Sequence, residues 1–338
     1  MVNIKIIEGE CISVLQTLPA ESVQCVVTSP PYWGLRDYGI DNQIGLEKSP
    51  EEYCENLVRV FREVRRVLKP TGTVWLNLGD SYSSQGGAVQ EQTVRKTPNY
   101  VNRGQLGDNG IGTSRKPAAG LKPKDLVGTP WRVAFALQAD GWYLRSDIIW
   151  SKPNPMPESV QDRPTKAHEY IFLLTKNSKY YYDADAIREP MSEATKVRDK
   201  NGFSGAFKGQ MRGSPNESRW QDGRPIDTPT FYSEQGRNKR SVWEVTTQPY
   251  SEAHFATYPE KLIEPCVKAG TTETDTVLDP FSGSGTTGLV AVRLNRSYIG
   301  IELNPEYAQM SRERIIGTTG IEKPEQLPEG MVAQGRFF

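Results

Sequence analysis

Histidine and cysteine are scarce in this chain. Its 338 residues include two histidines, His168 and His254, and four cysteines, Cys11, Cys25, Cys54 and Cys266, none spaced as a CxxC pair. Soft ligands so few and scattered do not build a zinc centre, and no metal is expected. Unpaired thiols read as small buried apolar side chains in a reducing compartment. No run approaches 18 consecutive apolar residues, and the opening MVNIKIIEGE lacks the apolar stretch of a signal peptide. A soluble cytoplasmic protein without membrane contact is expected. An excess of one charge is missing too, with 41 Lys and Arg against 41 Asp and Glu. Neutrality removes any global signal for a polyanionic partner, yet it permits a local basic cleft.

Short apolar runs alternate with helical patterns. KIIEG at 5–9 and VQCVVTS at 23–29 read as strands with a helical turn between them. In SPEEYCENLVRVFREVRRVLKPTG, Ser49 suits a cap, Pro50 the first helical position, and Glu52 the far side of a capping box. Tyr53, Leu57, Val60, Phe61, Val64 and Leu68 recur at helical spacing until Pro70 and Gly72 stop the pattern. TVWLNLGD then reads as a buried strand. Thr129 and Pro130 open another helix, followed by strands at 143–153 and 168–176. From 242 come VWEV, a helix near 257–268, strand TVLDPF, a helix after 285, strand YIGIEL and helix NPEYAQMSRERI. Strands alternating with helices predict an α/β fold.

Two stretches break this order. Residues 81–128 hold eight glycines and seven Lys or Arg against three Asp or Glu, and read as a basic loop insertion. Residues 188–241 are polar, with arginines and lysines interleaved with Phe203, Phe207, Trp220, Phe231 and Tyr232, a mixture suited to a nucleic-acid groove. The expected division is therefore 1–80 with 129–187, the insertion 81–128, the segment 188–241, a second core part at 242–316, and a tail at 317–338.

Two motifs carry chemistry. TSPPYWG follows strand VQCVVTS, and its paired prolines forbid further ladder, so the backbone turns where open α/β sheets place ligands. VLDPFSGSGTTGLVA places Gly283 and Gly285 between a strand and a helix, with Thr286 and Thr287 at the helix start. No Gly-Lys-Ser/Thr is present, which excludes an ATP-cradling loop, and the spacing departs from GxGxxG. Glu302, ending the next strand, suits two ribose hydroxyls. An adenosine-containing ligand without a pyrophosphate clamp fits, and S-adenosylmethionine is such a ligand.

TSPPY followed by DPFSGSGTT resembles the amino-group DNA methyltransferases of the β arrangement, in which the catalytic motif precedes the cofactor motif. GW-LR-DIIW-KP at 141–153, R-T-HEYIFLLTK at 163–176 and HFATYPEKL at 254–262 extend the resemblance to about residues 5–310. It implies the class I S-adenosylmethionine-dependent methyltransferase fold: a mostly parallel central sheet, helices on both faces, and a circularly permuted motif order. It implies that Ser29, Pro30, Pro31 and Tyr32 are catalytic, with the Ser29 side chain and the Pro30 carbonyl on the target amine and Tyr32 stacked on the base. It assigns S-adenosylmethionine to Asp279, Phe281, Ser282, Gly283, Gly285, Thr286, Thr287 and Glu302, to Thr257, Pro259 and Lys261, and to Glu10, where the family usually has Asp.

Ser at the head of SPPY is more typical of members acting on the N4 amine of cytosine; the alternative is the N6 amine of adenine. Such a reaction needs no covalent intermediate, and carbon-5 chemistry is rejected because Pro265-Cys266 falls inside a helix. The target base must leave the duplex, and basic residues must hold the flanking phosphates. Arg36, Lys152, Arg163, Arg212, Arg219, Arg224, Arg237 and Lys239 are the expected contacts. The expected partner is double-stranded DNA, with a cognate restriction endonuclease sharing the site without stable binding, and the enzyme is expected as a monomer or homodimer of a bacterium, archaeon or phage.

Overall fold

The computed structural model describes residues 2–35, 43–83, 120–191, 236–247 and 258–317, and the backbone alone of 220–221, 224–225 and 318–319. Arg36, Arg212, Arg219, His254, Thr257 and most of the two insertions lie outside the described residues. Two compact units are present, one of Met1–Tyr182 with Ser241–Phe338 and the other of Asp183–Arg240.

The first unit is built on an eight-stranded mixed sheet. Its strands are β1 (Ile4–Glu8), β2 (Val23–Thr28), β3 (Leu68–Leu78), β4 (Tyr143–Ser151), β5 (His168–Thr175), β8 (Val242–Glu244), β9 (Thr276–Asp279) and β10 (Ser297–Glu302). The two-residue strands β6 (Trp220–Gln221) and β7 (Arg224–Pro225) form a separate antiparallel pair in the second unit. The order across the large sheet is β1-β10-β9-β2-β3-β5-β4-β8. Pairings are parallel from β1 through β3, antiparallel at β3/β5 and β5/β4, and parallel again at β4/β8. Strand β2 is buried at every position, as a central parallel strand requires. The expected strand VQCVVTS ends before the prolines, and β9, from the last third of the chain, is its neighbour.

Six helices are described: α1 (Cys11–Thr17), α2 (Pro50–Val67), α3 (Thr129–Ala139), α4 (Glu260–Gly270), α5 (Thr286–Arg293) and α6 (Pro305–Thr319). Tyr53, Leu57, Val60, Phe61 and Val64 of α2 are fully buried and share one core with Val133, Ala134 and Leu137 of α3 and Val26 of β2. Burying each large side chain contributes about 2–3 kcal/mol. Alternation along β2 turns Cys25 to the other face, where its thiol lies 2.8 Å from the site a Cβ on Gly270 of α4 would take. Helices thus cover both faces of the sheet.

The caps depart from the sequence reading in instructive ways. Ser49 Oγ accepts from the Glu52 amide at 3.2 Å as expected, but the Glu52 carboxylate reaches back to Lys48 N at 3.1 Å, one residue before the cap. Helix α2 ends at Val67, and β3 starts at Leu68, so Pro70 and Gly72 lie inside the strand's irregular first half. Helix α3 begins behind Gly128, and Asp80 supplies the cap from 48 residues upstream, accepting from Gly128 N and Thr129 N at 3.0 Å each. The single turn foreseen after β1 is a two-turn helix, α1, and α6 continues past residue 316.

Candidate active site

Strands β2, β9 and β10 end side by side, and the two motifs leave from adjacent strand ends. Thr28, last in β2, donates to Asp279 Oδ1 at 2.6 Å, joining residues 251 positions apart. Asp279 is buried and receives three further donors: Phe281 N at 3.0 Å, Thr287 Oγ1 at 2.8 Å and the Tyr258 phenol at 3.1 Å. Burial raises its pKa above the ordinary carboxylate value against the pull of these bonds. Asp279 therefore pins the loop that follows it, and its oxygens face protein donors.

The loop carries the other expected residues in different orientations. Thr287 is buried and bonds to the Tyr258 hydroxyl, and its single proton has Asp279 Oδ2 at 2.8 Å as the nearer acceptor and Val27 O at 3.2 Å as the other; Thr286 accepts from Arg314 at 2.9 Å. The Thr287 hydroxyl closes the β2/β9 junction, and that of Thr286 is held by Arg314 of α6. Ser282 Oγ pairs with the Tyr298 phenol at 2.8 Å, also inside. Gly285 has φ +76°, and a Cβ there would lie 2.3 Å from Ser311 Oγ, so close packing on α6 demands glycine. Gly283 has φ +51°, and the nearest atom to an added Cβ is the Phe281 carbonyl at 4.0 Å. One side of that turn is open backbone, flanked by the half-buried Phe281 ring.

Glu302 faces the same turn. Its oxygens accept from Gly283 N at 2.7 Å and Asn304 N at 2.9 Å, leaving each a lone pair for a vicinal diol. Burial raises its pKa, with backbone bonds opposing. Gly9 N donates to Glu302 O at 2.9 Å, which sets β1's end beside it. Glu10 caps α1, accepting from Ile12 N at 2.9 Å and from Ser13 N and Ser13 Oγ at 2.8 Å. That cap, opposed by burial, holds its carboxyl below the usual value. Pro259 is buried ahead of α4 and Lys261 is exposed on its first turn. Among the described residues of HFATYPEKL, Tyr258, which the sequence reading passed over, is the one bonded to Asp279.

The SPPY segment is held from below. Tyr53 of α2 donates its phenol to Pro31 O at 2.8 Å, and Trp33 Nε1 donates to Glu47 O at 2.9 Å. Pro30 is buried. The Tyr32 ring lies on Gly79, where an added Cβ would sit 2.6 Å from its Cε2. Its hydroxyl reaches Glu169 Oε2 at 2.8 Å and Asn77 Oδ1 at 3.1 Å, and Ser29 Oγ donates to it at 3.4 Å. Burial, then the Glu169 charge, keeps Tyr32 a neutral phenol with a pKa well above 10. Glu169 and Asn77 were not foreseen as site residues; an acid inside the apolar strand HEYIFLLT was the available signal.

Most of the expected basic contacts that are described have acidic partners. Lys152 is ion-paired with Glu169 and lies 4.3 Å from the Trp150 ring centroid. Arg163 pairs with Glu158 at 2.6 Å and stacks over Tyr82 at 3.8 Å. In the second unit, Arg237 and Lys239 approach Glu189 at 3.3 and 3.9 Å, while Arg224 is described only as strand backbone. All four cysteines are buried and outside any disulfide; burial pushes the Cys25 thiol up to about 12 and the Cys54 thiol to about 11. No three His, Cys, Asp or Glu side chains converge as a metal site among the described residues, and no described helix is long and apolar enough to cross a membrane.

Residues 23–313 match the N6/N4 family described as DNA methylase. A type II methyltransferase of Citrobacter freundii, M.Cfr9I, is 48% identical over 310 residues, covering 92% of this chain and 87% of the relative. M.SmaI of Serratia marcescens is 47% identical over 314 residues, covering 92% and 90%. Among solved structures, a putative DNA modification methylase of Thermus thermophilus, complexed with S-adenosyl-L-methionine, superposes with a TM-score of 0.54 at 25% identity, covering 94% of this chain and 96% of that one.

Proposed function

The chain belongs to the N6/N4 DNA methylase family, and from that premise we propose that it moves a methyl group from S-adenosylmethionine to the N4 amine of a cytosine flipped out of duplex DNA. The observation that carries the proposal is the Thr28–Asp279 bond, which locks the SPPY turn and the FxGxG turn to adjacent strand ends. A group held by one turn then lies beside a group held by the other.

The residues fit an adenosyl ligand. Glu302 has lone pairs for both ribose hydroxyls, Gly283 offers open backbone, and Phe281 supplies a flat apolar face. Asp279, Ser282, Gly285, Thr286 and Thr287 serve the same cofactor by fixing the loop, and Pro259, Lys261 and Glu10 border it. When bound, S-adenosylmethionine supplies an electrophilic methyl group. The protein's own task is the nucleophile. A cytosine amine is weakly nucleophilic because its lone pair is delocalised into the ring. Accepting hydrogen bonds from its two N–H groups with Ser29 Oγ and the Pro30 carbonyl favours the tetrahedral nitrogen and stabilises the positive charge that grows there, until the methylated amine releases one proton to water. Tyr32 provides the stacking face. The choice of cytosine rests on Ser29, a neutral hydroxyl at the head of the motif.

Duplex DNA is the proposed substrate, with Arg163 and the basic residues of 188–241 as phosphate or base contacts. A restriction endonuclease sharing the recognition sequence, without stable binding, belongs to the same proposal. Nucleoside mass spectrometry of unmethylated duplex DNA incubated with the enzyme and S-adenosylmethionine is the test. N4-methylcytosine, lost in Ser29→Ala and Tyr32→Ala, is the expected result. N6-methyladenine would overturn the choice of base and leave the site assignment standing.

A further inference from the structure

Three strands converge beneath the SPPY turn. Asn77 lies near the end of β3, Glu169 in β5 is register-paired with Trp150 of β4, and Lys152 follows directly after β4. The ladder continues one step, with Lys152 N donating to Ala167 O at 2.8 Å, so the backbone fixes where the ammonium starts. The side chains of Lys152 and Glu169 are 18% and 15% exposed, which makes the pair part of the interior rather than of a solvated surface. Trp150, whose ring lies beneath the ammonium, is itself held by Nε1 donating to Val245 O at 2.7 Å.

The Tyr32 phenol has two acceptors in this cluster, Glu169 Oε2 at 2.8 Å and Asn77 Oδ1 at 3.1 Å, and the carboxylate is the nearer and the charged one. An ionised carboxylate accepts and never donates. Glu169 Oε1 takes Lys152; Oε2 takes the Tyr32 phenol at 2.8 Å and Asn77 Nδ2 at 3.2 Å. Asn77 Nδ2 also donates to Tyr170 O at 3.1 Å, which sets its amide orientation. A phenol has one proton, and the charged acceptor at the shorter distance claims it. The Tyr32 oxygen is then left with lone pairs, and Ser29 Oγ donates into them at 3.4 Å. Ser29 has a single proton as well. With that proton directed at Tyr32, Ser29 presents only acceptor lone pairs elsewhere, as an incoming amine requires.

We propose that Glu169 is a positioning residue for methyl transfer: with Lys152 as its internal counterion, it sets the polarity of the chain Ser29→Tyr32→Glu169, so that Ser29 meets the target amine as an acceptor. The inference rests on the reading of Ser29 as the amine-holding group. It also moves Lys152 from the DNA backbone to the inside of the site. A neutral amide in place of the carboxylate can donate to Tyr32, which leaves the phenol proton shared between Asn77 Oδ1 and Ser29; whenever Ser29 takes it, the chain is reversed and a Ser29 lone pair is turned inward.

The test is steady-state kinetics on unmethylated genomic DNA, with S-adenosylmethionine binding by calorimetry and thermal melting as controls. Glu169→Gln is expected to lower kcat by about 100-fold, in the range seen when one preorganised polar contact is removed, with cofactor affinity unchanged. Tyr32→Phe keeps the ring and cuts the middle link, and is expected to lower kcat by about tenfold. The double variant is expected to be no slower than Glu169→Gln alone, because both changes break one chain. Lys152→Gln is expected to lower kcat while the slope of log affinity for DNA against log salt stays as in the wild type. Multiplicative losses in the double variant, or a wild-type kcat in Glu169→Gln, overturn the proposal. A slope reduced by about one in Lys152→Gln does so too, since that marks a phosphate contact. If Glu169→Gln does not fold, Tyr32→Phe decides alone: it leaves the ion pair intact, and an unchanged kcat refutes the chain. A wild-type enzyme that methylates no DNA would instead refute the functional reading itself.

Discussion

Asp279 and Glu169 are both acids beside the two motif turns, and they are kept in opposite ways. Asp279 is buried among neutral donors, Thr28, Thr287, Tyr258 and the Phe281 amide, with no cation on it among the described residues. Glu169 has a lysine on one oxygen and two neutral donors on the other. Neutral donors give direction without neutralising charge, and burial then raises the acid's pKa, as it does for Asp279. A counterion keeps an acid ionised but consumes a cation. The first arrangement suits a hub that holds a loop in shape, and the second suits a group whose acceptor character must be permanent.

Removing the hub is the most severe way to break this comparison. Asp279→Ala leaves Thr28 and the Phe281 amide without their acceptor and removes one partner each from Thr287 and Tyr258, and a loss of about 3–5 kcal/mol is expected in urea denaturation. Glu302→Gln comes next. Its side chain keeps the shape and loses one acceptor oxygen, so cofactor affinity measured by calorimetry should fall by about 10- to 100-fold, the effect of one or two polar contacts. Its effect on stability depends on pH. Because the folded pKa of Glu302 is raised above 4.5, its contribution is fully present below that value and is lost as pH rises through the folded value. The melting temperature of Glu302→Gln should therefore move in the variant's favour, relative to wild type, between pH 4.5 and neutrality. A constant difference across that range would contradict the raised value.

Smaller changes sharpen the contrast. Tyr258→Phe removes one of four donors on Asp279, and a cost of about 1 kcal/mol is expected, well below that of losing the acceptor itself. Ser49→Ala, at the α2 cap and remote from either acid, should cost about 0.5–1 kcal/mol and leave kcat unchanged.

Local signals in the sequence proved reliable where the physics is local. Ser49, Pro50 and the apolar spacing of Tyr53 to Val64 define α2 within a few residues, and the prolines end β2 where they must. The alternation of elements indicated the α/β class, and the proline and glycine turns leave from adjacent strand ends. What stayed hidden depends on partners far apart in the chain. Thr129 sits at the right place to cap α3, yet its buried hydroxyl has no partner among the described residues, and Asp80 from the end of β3 caps instead. Thr286 and Thr287 lie near a helix start, where a ligand was expected, but Arg314 and Asp279 draw their hydroxyls inward. Lys152 looked like any basic residue beside a motif. Only the antiparallel register of β4 and β5, which sets Glu169 opposite Trp150, reveals that Glu169 lies within reach of the lysine two residues on.

The pairing of β2 with β9 also bears on how the polypeptide is made. Strand β2 is complete after residue 28, but one of its two neighbours begins at Thr276. Throughout synthesis of the intervening stretch, the emerging chain carries an apolar strand with an open backbone edge, the kind of surface that seeks other chains. The FxGxG turn and its fixed neighbour, the SPPY turn, come into register only when the ribosome has delivered residues 276–302. A polypeptide released before that point carries the SPPY sequence without the Asp279 carboxylate that ties it to its neighbour.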